Sequence, residues 1–169
     1  MASGVRQQSI QSFTTETPVP AGGGDMSTTQ TITQLYRDYE SGNLAKVLDG
    51  LPDDFCFEWP VDRYTARFSG ICHTKADLLA QLEEMAASFH FSRYHATNIL
   101  VDGDRAAAQV DVDLTSKKTG RRFSTTIAHF WWFEDGRPVR LVEYVDTALT
   151  ASESFGKGET GADNPSVNG

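Results

Sequence analysis

Long apolar runs, basic clusters and cysteines are scarce in this sequence. It contains no stretch of about 18 consecutive apolar residues, which argues against a membrane span. Lys and Arg number 15 against 23 Asp and Glu, a formal net charge of −8, and they form no basic run suited to a phosphate backbone. Two cysteines, Cys56 and Cys72, are too few for a disulfide framework. We therefore expect a cytoplasmic protein that has neither a membrane nor a nucleic acid as its partner.

Motifs for cofactor binding and covalent catalysis are missing as well. The sequence has no glycine-rich nucleotide loop and no nucleophile elbow. No three of its 4 histidines are spaced as metal ligands. The expected cofactor is therefore none, and the expected metal is none.

The two ends of the chain differ in composition from its middle. Residues 1–28 and 150–169 consist mostly of small and polar residues. Such segments bury too little apolar surface to offset the entropy that is lost on ordering. We expect two disordered tails around one domain at residues 29–149.

The middle of the chain alternates between helical and strand periodicity. Apolar residues recur at helical spacing in 31–39, 44–51 and 74–89, and apolar runs predict strands at 55–59, 90–101, 105–115, 121–133 and 138–148. Residues 61–72 are expected to form a loop. The pairs Asp102-Gly103 and Asp135-Gly136 are strong hairpin signals. This order predicts an α+β fold in which three helices close a curved antiparallel sheet into a cone-shaped pocket.

Several short motifs in this order resemble one known family. They are Tyr36 followed by Ser41-Gly42-Asn43, then Pro52-Asp53-Asp54, Gly70, Val101-Asp102-Gly103-Asp104, Ala128-His129-Phe130-Trp131 and Glu143-Tyr144-Val145-Asp146-Thr147. Over residues 29–149 the chain resembles the SnoaL-like, ketosteroid-isomerase-related branch of the nuclear transport factor 2-like superfamily. The resemblance implies the cystatin-like roll of that superfamily. It implies less about the reaction, because the superfamily includes isomerases, epoxide hydrolases, dehydratases, polyketide cyclases and non-catalytic binding proteins.

The catalytic positions of the steroid isomerases are not kept. Those enzymes use a proton-shuttling Asp, an oxyanion-hole Tyr and a protonated Asp. The resemblance carries these positions onto Trp59, Leu35 and Ala128. Because these three side chains cannot replace the lost groups, the resemblance does not imply that mechanism here.

The pattern of the limonene epoxide hydrolases is better preserved. They carry Arg-x-Asp on a middle strand and an Asp in a final Asp-Tyr-x-Asp motif, which correspond here to Gln109, Asp111 and Glu143. Both carboxylates are kept in type, whereas the bridging Arg has become Gln. The resemblance thus implies Asp111 and Glu143 as the catalytic pair, Glu143 as general base and Asp111 as its acid partner, with Gln109 orienting them.

Strand parity assigns the remaining pocket residues, since neighbours along a strand point to opposite faces. With the concave side set by the resemblance, carboxylates and aromatic rings converge in the pocket. The predicted substrate-binding residues are Phe57, Trp59, Gln109, Asp113, Phe130 and Trp132. A pocket of this composition suits a small apolar or polyketide- or terpenoid-like molecule that carries oxygen.

The opposite parity is also open for the strand at 105–115. If it is inverted or interrupted by a bulge, Gln109, Asp111 and Asp113 form the solvated face of an ordinary amphipathic strand. His129 falls on the face opposite the expected pocket, which favours a sheet-face or dimer contact over catalysis.

Two classes of function therefore stand side by side. One is an enzyme of the cyclase, isomerase, dehydratase or epoxide hydrolase type that uses carboxylate acid/base chemistry. The other is a non-catalytic ligand-binding or scaffolding dimer. A homodimer is expected in either case, because the predicted convex face is too apolar to stay wet on a monomer. That face is assigned Val110, His129, Trp131, Val142 and Tyr144.

Overall fold

The computed structural model describes residues 27–61 and 69–155. Both predicted tails, apart from their inner ends, lie outside these residues, as does most of the predicted loop at 61–72. The described residues fold into helices packed on one face of a curved sheet, which confirms the predicted α+β class.

The described part of the chain forms four helices. They are α1 (Thr28–Glu40), α2 (Leu44–Asp49), α3 (Lys75–Ser88) and α4 (Thr147–Phe155). Capping boxes fix the starts of α1 and α3, in which Ser27 and Thr74 accept hydrogen bonds from the backbone N–H groups of Gln30 and Asp77. The Thr74 hydrogen bond lowers the pKa of Asp77, so the capping carboxylate stays charged beside the helix start.

In the same described residues, six strands form a single sheet in the order β2-β1-β6-β5-β4-β3. They are β1 (Cys56–Trp59), β2 (Gly70–Cys72), β3 (Phe89–Asp102), β4 (Arg105–Ser116), β5 (Arg122–Glu134) and β6 (Arg137–Tyr144). All neighbours are antiparallel except β1 and β6, which are parallel. Because β6, the last strand in the chain, pairs with β1, the short strands β1 and β2 lie at one edge of the sheet. The long hairpins β3–β4 and β5–β6 form the rest of the curved sheet.

The core lies between the helices and one face of the sheet, called the inner face below. Ile32 on α1 and Val110 on β4 are completely buried there. Along β4 and β5 the buried residues alternate with exposed or half-buried ones, which is the signature of a sheet with one packed face. The other side of the sheet is called the outer face.

A bulge interrupts the pairing of β5 with β6. The turn pairs Glu134 with Arg137 and Phe133 with Pro138, but beyond it Trp132 pairs with Arg140, so β6 holds one extra residue. The turn itself uses Asp135 at φ 48° and Gly136 at φ 75°, the left-handed conformations of a two-residue hairpin. The Thr31 hydroxyl donates to the Gly136 carbonyl at 2.9 Å and ties this turn to α1.

Two element predictions are wrong. β2 lies within the stretch predicted as a loop, since a three-residue edge strand is too short to show periodicity. The strand predicted at 138–148 ends at Tyr144. Helix α4 occupies residues that were predicted to be the end of that strand and the start of the C-terminal tail. Asp146 starts this helix, because its carboxylate accepts a hydrogen bond from the Leu149 N–H at 3.0 Å.

Candidate functional site

Glu143 and His129 face each other at the centre of the inner face. The register pairs His129 of β5 with Ala108 of β4 on one side and with Glu143 of β6 on the other. His129 is 1% exposed. Its Nε2 lies 2.9 Å from Oε2 of Glu143, whose side chain is 12% exposed. A carboxylate is therefore held at the inner surface by a fully buried imidazole.

A chain of hydrogen bonds fixes the orientation of this imidazole. The Trp131 indole N–H donates to the Tyr36 hydroxyl at 2.9 Å, and that hydroxyl lies 2.8 Å from Nδ1 of His129. The indole can only donate, so the Tyr36 hydroxyl accepts from it and can give its own proton to Nδ1. In that arrangement Nε2 carries a ring proton and donates it to Glu143. The whole chain of donors thus ends on one carboxylate oxygen, Oε2.

Two further tyrosines stand beside the pair. Tyr39 of α1 and Tyr94 of β3 stack with ring centroids 4.8 Å apart. The Tyr94 hydroxyl lies 3.5 Å from Nε2 of His129, at the limit of hydrogen-bond distance. Burial and the neighbouring charge of Glu143 raise the pKa of Tyr39, and burial, the neighbouring tyrosines and Glu143 raise that of Tyr94. Both phenols remain neutral hydrogen-bond donors at any ordinary pH.

A cavity of about 350 Å³ opens in front of this cluster. Its walls come from α1, α2, α3, β1, β3, β5 and β6, and most of its lining is apolar, with Leu78, Leu82 and Phe55 as examples. Among the described residues, the charged ones that border it are Glu40, Arg93 and Glu143. Glu40 is already engaged, since it accepts hydrogen bonds from His95 Nδ1 at 2.9 Å and from the Ala96 N–H at 3.1 Å. The volume and the apolar lining suit a small organic ligand.

Glu143 also borders a second cavity of about 90 Å³. Within the described part of the chain, the residues that border both cavities are Met85, Phe91, Tyr94 and Glu143. Trp59, Phe123, Leu149 and Thr150 border the smaller one. Its roof is α4, the helix that follows the Glu143 strand.

Three of the predicted site residues lie at these cavities. Phe57 borders the larger cavity, Trp59 the smaller one and Glu143 both. On β1 and β6 the predicted faces therefore agree with the observed ones.

The faces predicted for β4 and β5 are wrong. Gln109, Asp111, Asp113, Phe130 and Trp132 lie on the outer face, while the residues between them are buried. The structure therefore separates Asp111 from Glu143 by the sheet and does not bring the predicted catalytic pair together. The alternative of a solvated polar face describes β4 correctly.

Each of these five residues has its own surroundings on the outer face. Asp111 and Asp113 accept hydrogen bonds from Thr126 at 3.0 Å and from Ser124 at 2.6 Å, and Gln109 accepts one from Asn98 at 3.2 Å. Phe130 packs edge-to-face on Tyr144. Trp132 lies between the guanidinium groups of Arg105 and Arg140, which are 5.2 Å and 4.7 Å from its ring centroid.

The bulge in β6 is the physical reason for the wrong faces. A two-residue turn at Asp135-Gly136 without a bulge would pair Phe130 with Leu141 and place it on the Glu143 face. The extra residue shifts the pairing by one, so that Trp131 pairs with Leu141 instead. Since the side-chain period is two, this shift exchanges the faces of β5 and, through it, of β4 relative to Glu143.

Sequence reasoning missed the functional candidates Tyr36, Tyr39, Tyr94, His129 and Trp131. His129 and Trp131 were assigned to the convex face with Val110, and all three are buried in the core instead. One signal was present: Tyr36 and Tyr39 are three residues apart on α1, which places both on one helix face.

Within residues 27–61 and 69–155, no group of three or more His, Cys, Asp or Glu side chains could hold a metal ion. The same residues include no helix that is long and apolar enough to cross a membrane.

Comparisons with known proteins agree on the fold. The SnoaL-like domain profile matches residues 32–141. A nuclear transport factor 2-like protein of unknown function from Burkholderia pseudomallei is 22% identical with a TM-score of 0.68, over 75% of this chain and 96% of that chain. A candidate isomerase from Rhodopseudomonas palustris is 23% identical with a TM-score of 0.63, over 78% and 98%.

A third similar structure is a candidate SnoaL-like polyketide cyclase from Mesorhizobium loti. It is 16% identical with a TM-score of 0.61, over 70% of this chain and 99% of that chain. At such identities the likeness concerns the fold alone. No curated protein matches the sequence.

Proposed function

We propose, from the premise that this chain belongs to the SnoaL-like domain family, that it is an enzyme that moves a proton on a small apolar ketone. Glu143 is the base. Isomerisation and cyclisation of a polyketide- or terpenoid-like carbonyl compound both begin with this step.

The observation that carries the proposal is the setting of Glu143. Oε2 receives the His129 hydrogen bond, and among the described residues no donor bonds to Oε1. The carboxylate borders a largely apolar cavity, where water competes little for its free oxygen. A carboxylate held in this way can remove a proton from carbon and return it, which typically accelerates a reaction by about 10²–10⁴-fold.

The two stacked tyrosines supply the complementary group. When the C–H bond breaks, its proton goes to Oε1 of Glu143 and its electron pair goes into an enolate whose charge gathers on oxygen. The neutral phenols of Tyr39 and Tyr94 can donate hydrogen bonds to that oxygen. In an unsaturated ketone the enolate is a dienolate, and it takes the proton back from Glu143 on another carbon, which is isomerisation. Where the enolate attacks a second carbonyl, the new alkoxide takes the proton from Glu143, which is cyclisation.

The geometry supports epoxide hydrolysis and two-carboxylate dehydration less well. Those reactions were expected to use Asp111 with Glu143, and Asp111 lies on the outer face. Among the described residues at the larger cavity, Glu40 is the other carboxylate, and its Oε1 is held by His95 and Ala96. A single free base favours proton transfer at carbon.

Deuterium exchange tests this proposal without knowledge of the natural substrate. The ketone β-tetralone has acidic hydrogens next to its carbonyl, and proton NMR in heavy water measures how fast the protein exchanges them. We expect Glu143→Gln to slow the exchange by about 10²–10⁴-fold, because it removes the base and keeps the volume.

Glu58→Gln is the matched control. Glu58 lies on β1 and pairs with Arg140 away from both cavities, so this variant should exchange like the wild type. Exchange no faster than buffer alone, together with binding of the ketone, would contradict catalysis and support the non-catalytic binding function.

A homodimer through the outer face belongs to the same proposal. Phe130 and Tyr144 are 44% and 52% exposed there. Arg105 begins β4, and Asp111 and Asp113 follow on the same face, so two copies related by a twofold axis can pair opposite charges. Light scattering should give a dimer for the wild type and a monomer for Phe130→Glu. A monomeric wild type would contradict it.

The cytoplasmic location stays a prediction that rests on the low cysteine content.

A further inference from the structure

Glu143 borders two cavities of unequal size, and neither the family nor the proposed reaction explains the smaller one. The larger cavity measures about 350 Å³ and the smaller about 90 Å³. Met85, Phe91, Tyr94 and Glu143 border both. A ligand in contact with the base is therefore adjacent to two compartments at once.

The smaller cavity has the character of a side pocket for an apolar substituent. Trp59, Val112, Phe123, Ile127 and Leu149 are among its lining residues, and its polar lining groups include Tyr94, Thr125, Glu143 and Thr150. Thr150 is engaged, since its hydroxyl donates to the Asp146 carbonyl at 2.7 Å. Since a water molecule takes about 30 Å³ in the liquid, this pocket has room for a substituent of a few carbon atoms.

Helix α4 determines how deep this pocket is. Asp146 holds the start of the helix through the Leu149 N–H at 3.0 Å and the Thr150 N–H at 2.9 Å. Those two residues form the roof of the smaller cavity. The helix is thus anchored at Asp146, three residues after the base, and the roof residues Leu149 and Thr150 follow six and seven residues after it.

We propose that the substrate is an apolar ketone with two unequal arms, and that Leu149 sets the length of the shorter arm. Resting on the proposed function, this places the larger ring system in the larger cavity and the short substituent under α4. The carbon that loses its proton lies between them, next to Glu143.

A homologous series of naphthyl ketones tests this arrangement. Acedan and prodan are fluorescent ketones that share a dimethylaminonaphthalene body and carry an acetyl or a propionyl group, and the butyryl homologue extends the series. Fluorescence titration gives their dissociation constants. For the wild type we expect binding to tighten about fourfold for each methylene that enters the smaller cavity.

Two substitutions of Leu149 should change the preference for acyl length in opposite directions. Leu149→Trp fills the smaller cavity and should abolish or reverse the preference for the longer acyl group. Leu149→Ala deepens it and should move the preference toward the longest homologue. Ala148→Trp is the matched control, because Ala148 is exposed on the same helix and should keep the wild-type preference.

Three results would overturn the inference. They are equal affinities across the series, no binding of any member, and a Leu149→Trp variant that folds and keeps the wild-type preference. The titrations measure binding alone, so they are repeated in Glu143→Gln. Glu143→Gln should keep the length preference, because only the base is lost, whereas a wild type that shows the preference but no deuterium exchange would contradict the proposed reaction and leave the two-armed site standing.

Discussion

The two faces of the sheet place residues of the same strand, β5, in different surroundings. On the inner face, His129 and Trp131 are buried and hydrogen-bonded to Glu143 and Tyr36. On the outer face of the same strand, Phe130 is 44% exposed and Trp132 lies between two arginines. The residue types are nearly the same, four large aromatic or imidazole rings in a row. Their roles differ because parity sends alternate residues to different surroundings.

The difference shows that an aromatic strand alone does not reveal where a pocket is. What separates the faces is their hydrogen bonding. The inner polar atoms form one connected network around Glu143, and the outer ones pair locally with neighbouring strands. A buried and connected polar network is costly to leave incomplete. We therefore expect substitutions on the inner face to lower stability more than substitutions on the outer face.

The largest expected difference in the free energy of unfolding is between alanine variants of the adjacent residues Trp131 and Trp132. Trp131→Ala empties the core and leaves Tyr36 without its donor, so we expect it to lower the free energy of unfolding by about 3–5 kcal/mol. Trp132→Ala removes two exposed cation–π contacts at about 0.5–1 kcal/mol each. Urea denaturation at low protein concentration measures both. Equal losses would remove the distinction between the faces.

Removing the hydroxyl of an inner-face or an outer-face tyrosine tests the same difference in stability with a smaller change. Tyr36→Phe leaves the Trp131 N–H and His129 Nδ1 unpaired in the core, at a cost of about 1–3 kcal/mol. Tyr144→Phe removes a hydroxyl from a ring that is 52% exposed, where surface changes usually stay within about 0.5 kcal/mol. Thermal unfolding of both variants checks this, and a Tyr36→Phe variant as stable as the wild type would argue against the network.

Alkaline pH should lower the stability of the folded protein through the tyrosines of the inner face. Burial raises the pKa of Tyr36, Tyr39 and Tyr94, whereas phenols of the unfolded chain ionise near pH 10. Above pH 10 the unfolded state has lost protons that the folded state keeps, so stability falls as pH rises. The expected slope is at most about 1.4 kcal/mol per pH unit for each tyrosine.

Tyr94→Phe should make that loss of stability shallower. Melting temperatures from pH 8 to pH 11 measure the slope in the wild type and the variant. A melting temperature that is constant across this range would contradict the raised pKa values.

The smallest effect is expected on the outer face. Asp111→Asn changes a carboxylate that the sheet separates from Glu143, so deuterium exchange of β-tetralone should stay within about threefold of the wild type, below about 0.7 kcal/mol. A loss as large as that of Glu143→Gln would restore Asp111 to the catalytic role that the sequence predicted.

The sequence predicts the fold better than it predicts the site. Helical spacing and the Asp-Gly turns determine the main elements, and Leu141 and Val145 on either side of Glu143 correctly indicate an inward carboxylate. β5 gives no such signal, because Ile127, His129 and Trp131 on one face are as apolar and aromatic as Ala128, Phe130 and Trp132 on the other. Only the pairing partner decides between them, and periodicity within one strand does not contain that information.

β4 is a different case. Val110 and Val112 alternate with Asp111 and Asp113, a pattern that favours an apolar face packed on the core and an acidic face exposed to solvent. Transferring catalytic positions from the epoxide hydrolases overrode that pattern. The physical preference of the strand was the better guide.

The extra residue in β6 has a consequence for how relatives of this protein are aligned. The bulge absorbs one residue between Pro138 and Arg140, so Glu143 pairs with His129, whereas unbulged strands of the same length would pair it with Ala128. A homologue with the same Glu-Tyr-Val-Asp motif but a one-residue deletion near Val139 would lose the bulge and keep its glutamate opposite the position of His129. A gap there in an alignment therefore marks the loss of the bulge and no change of face, and an alignment that closes the gap by shifting the motif by one residue would exchange interior for exterior.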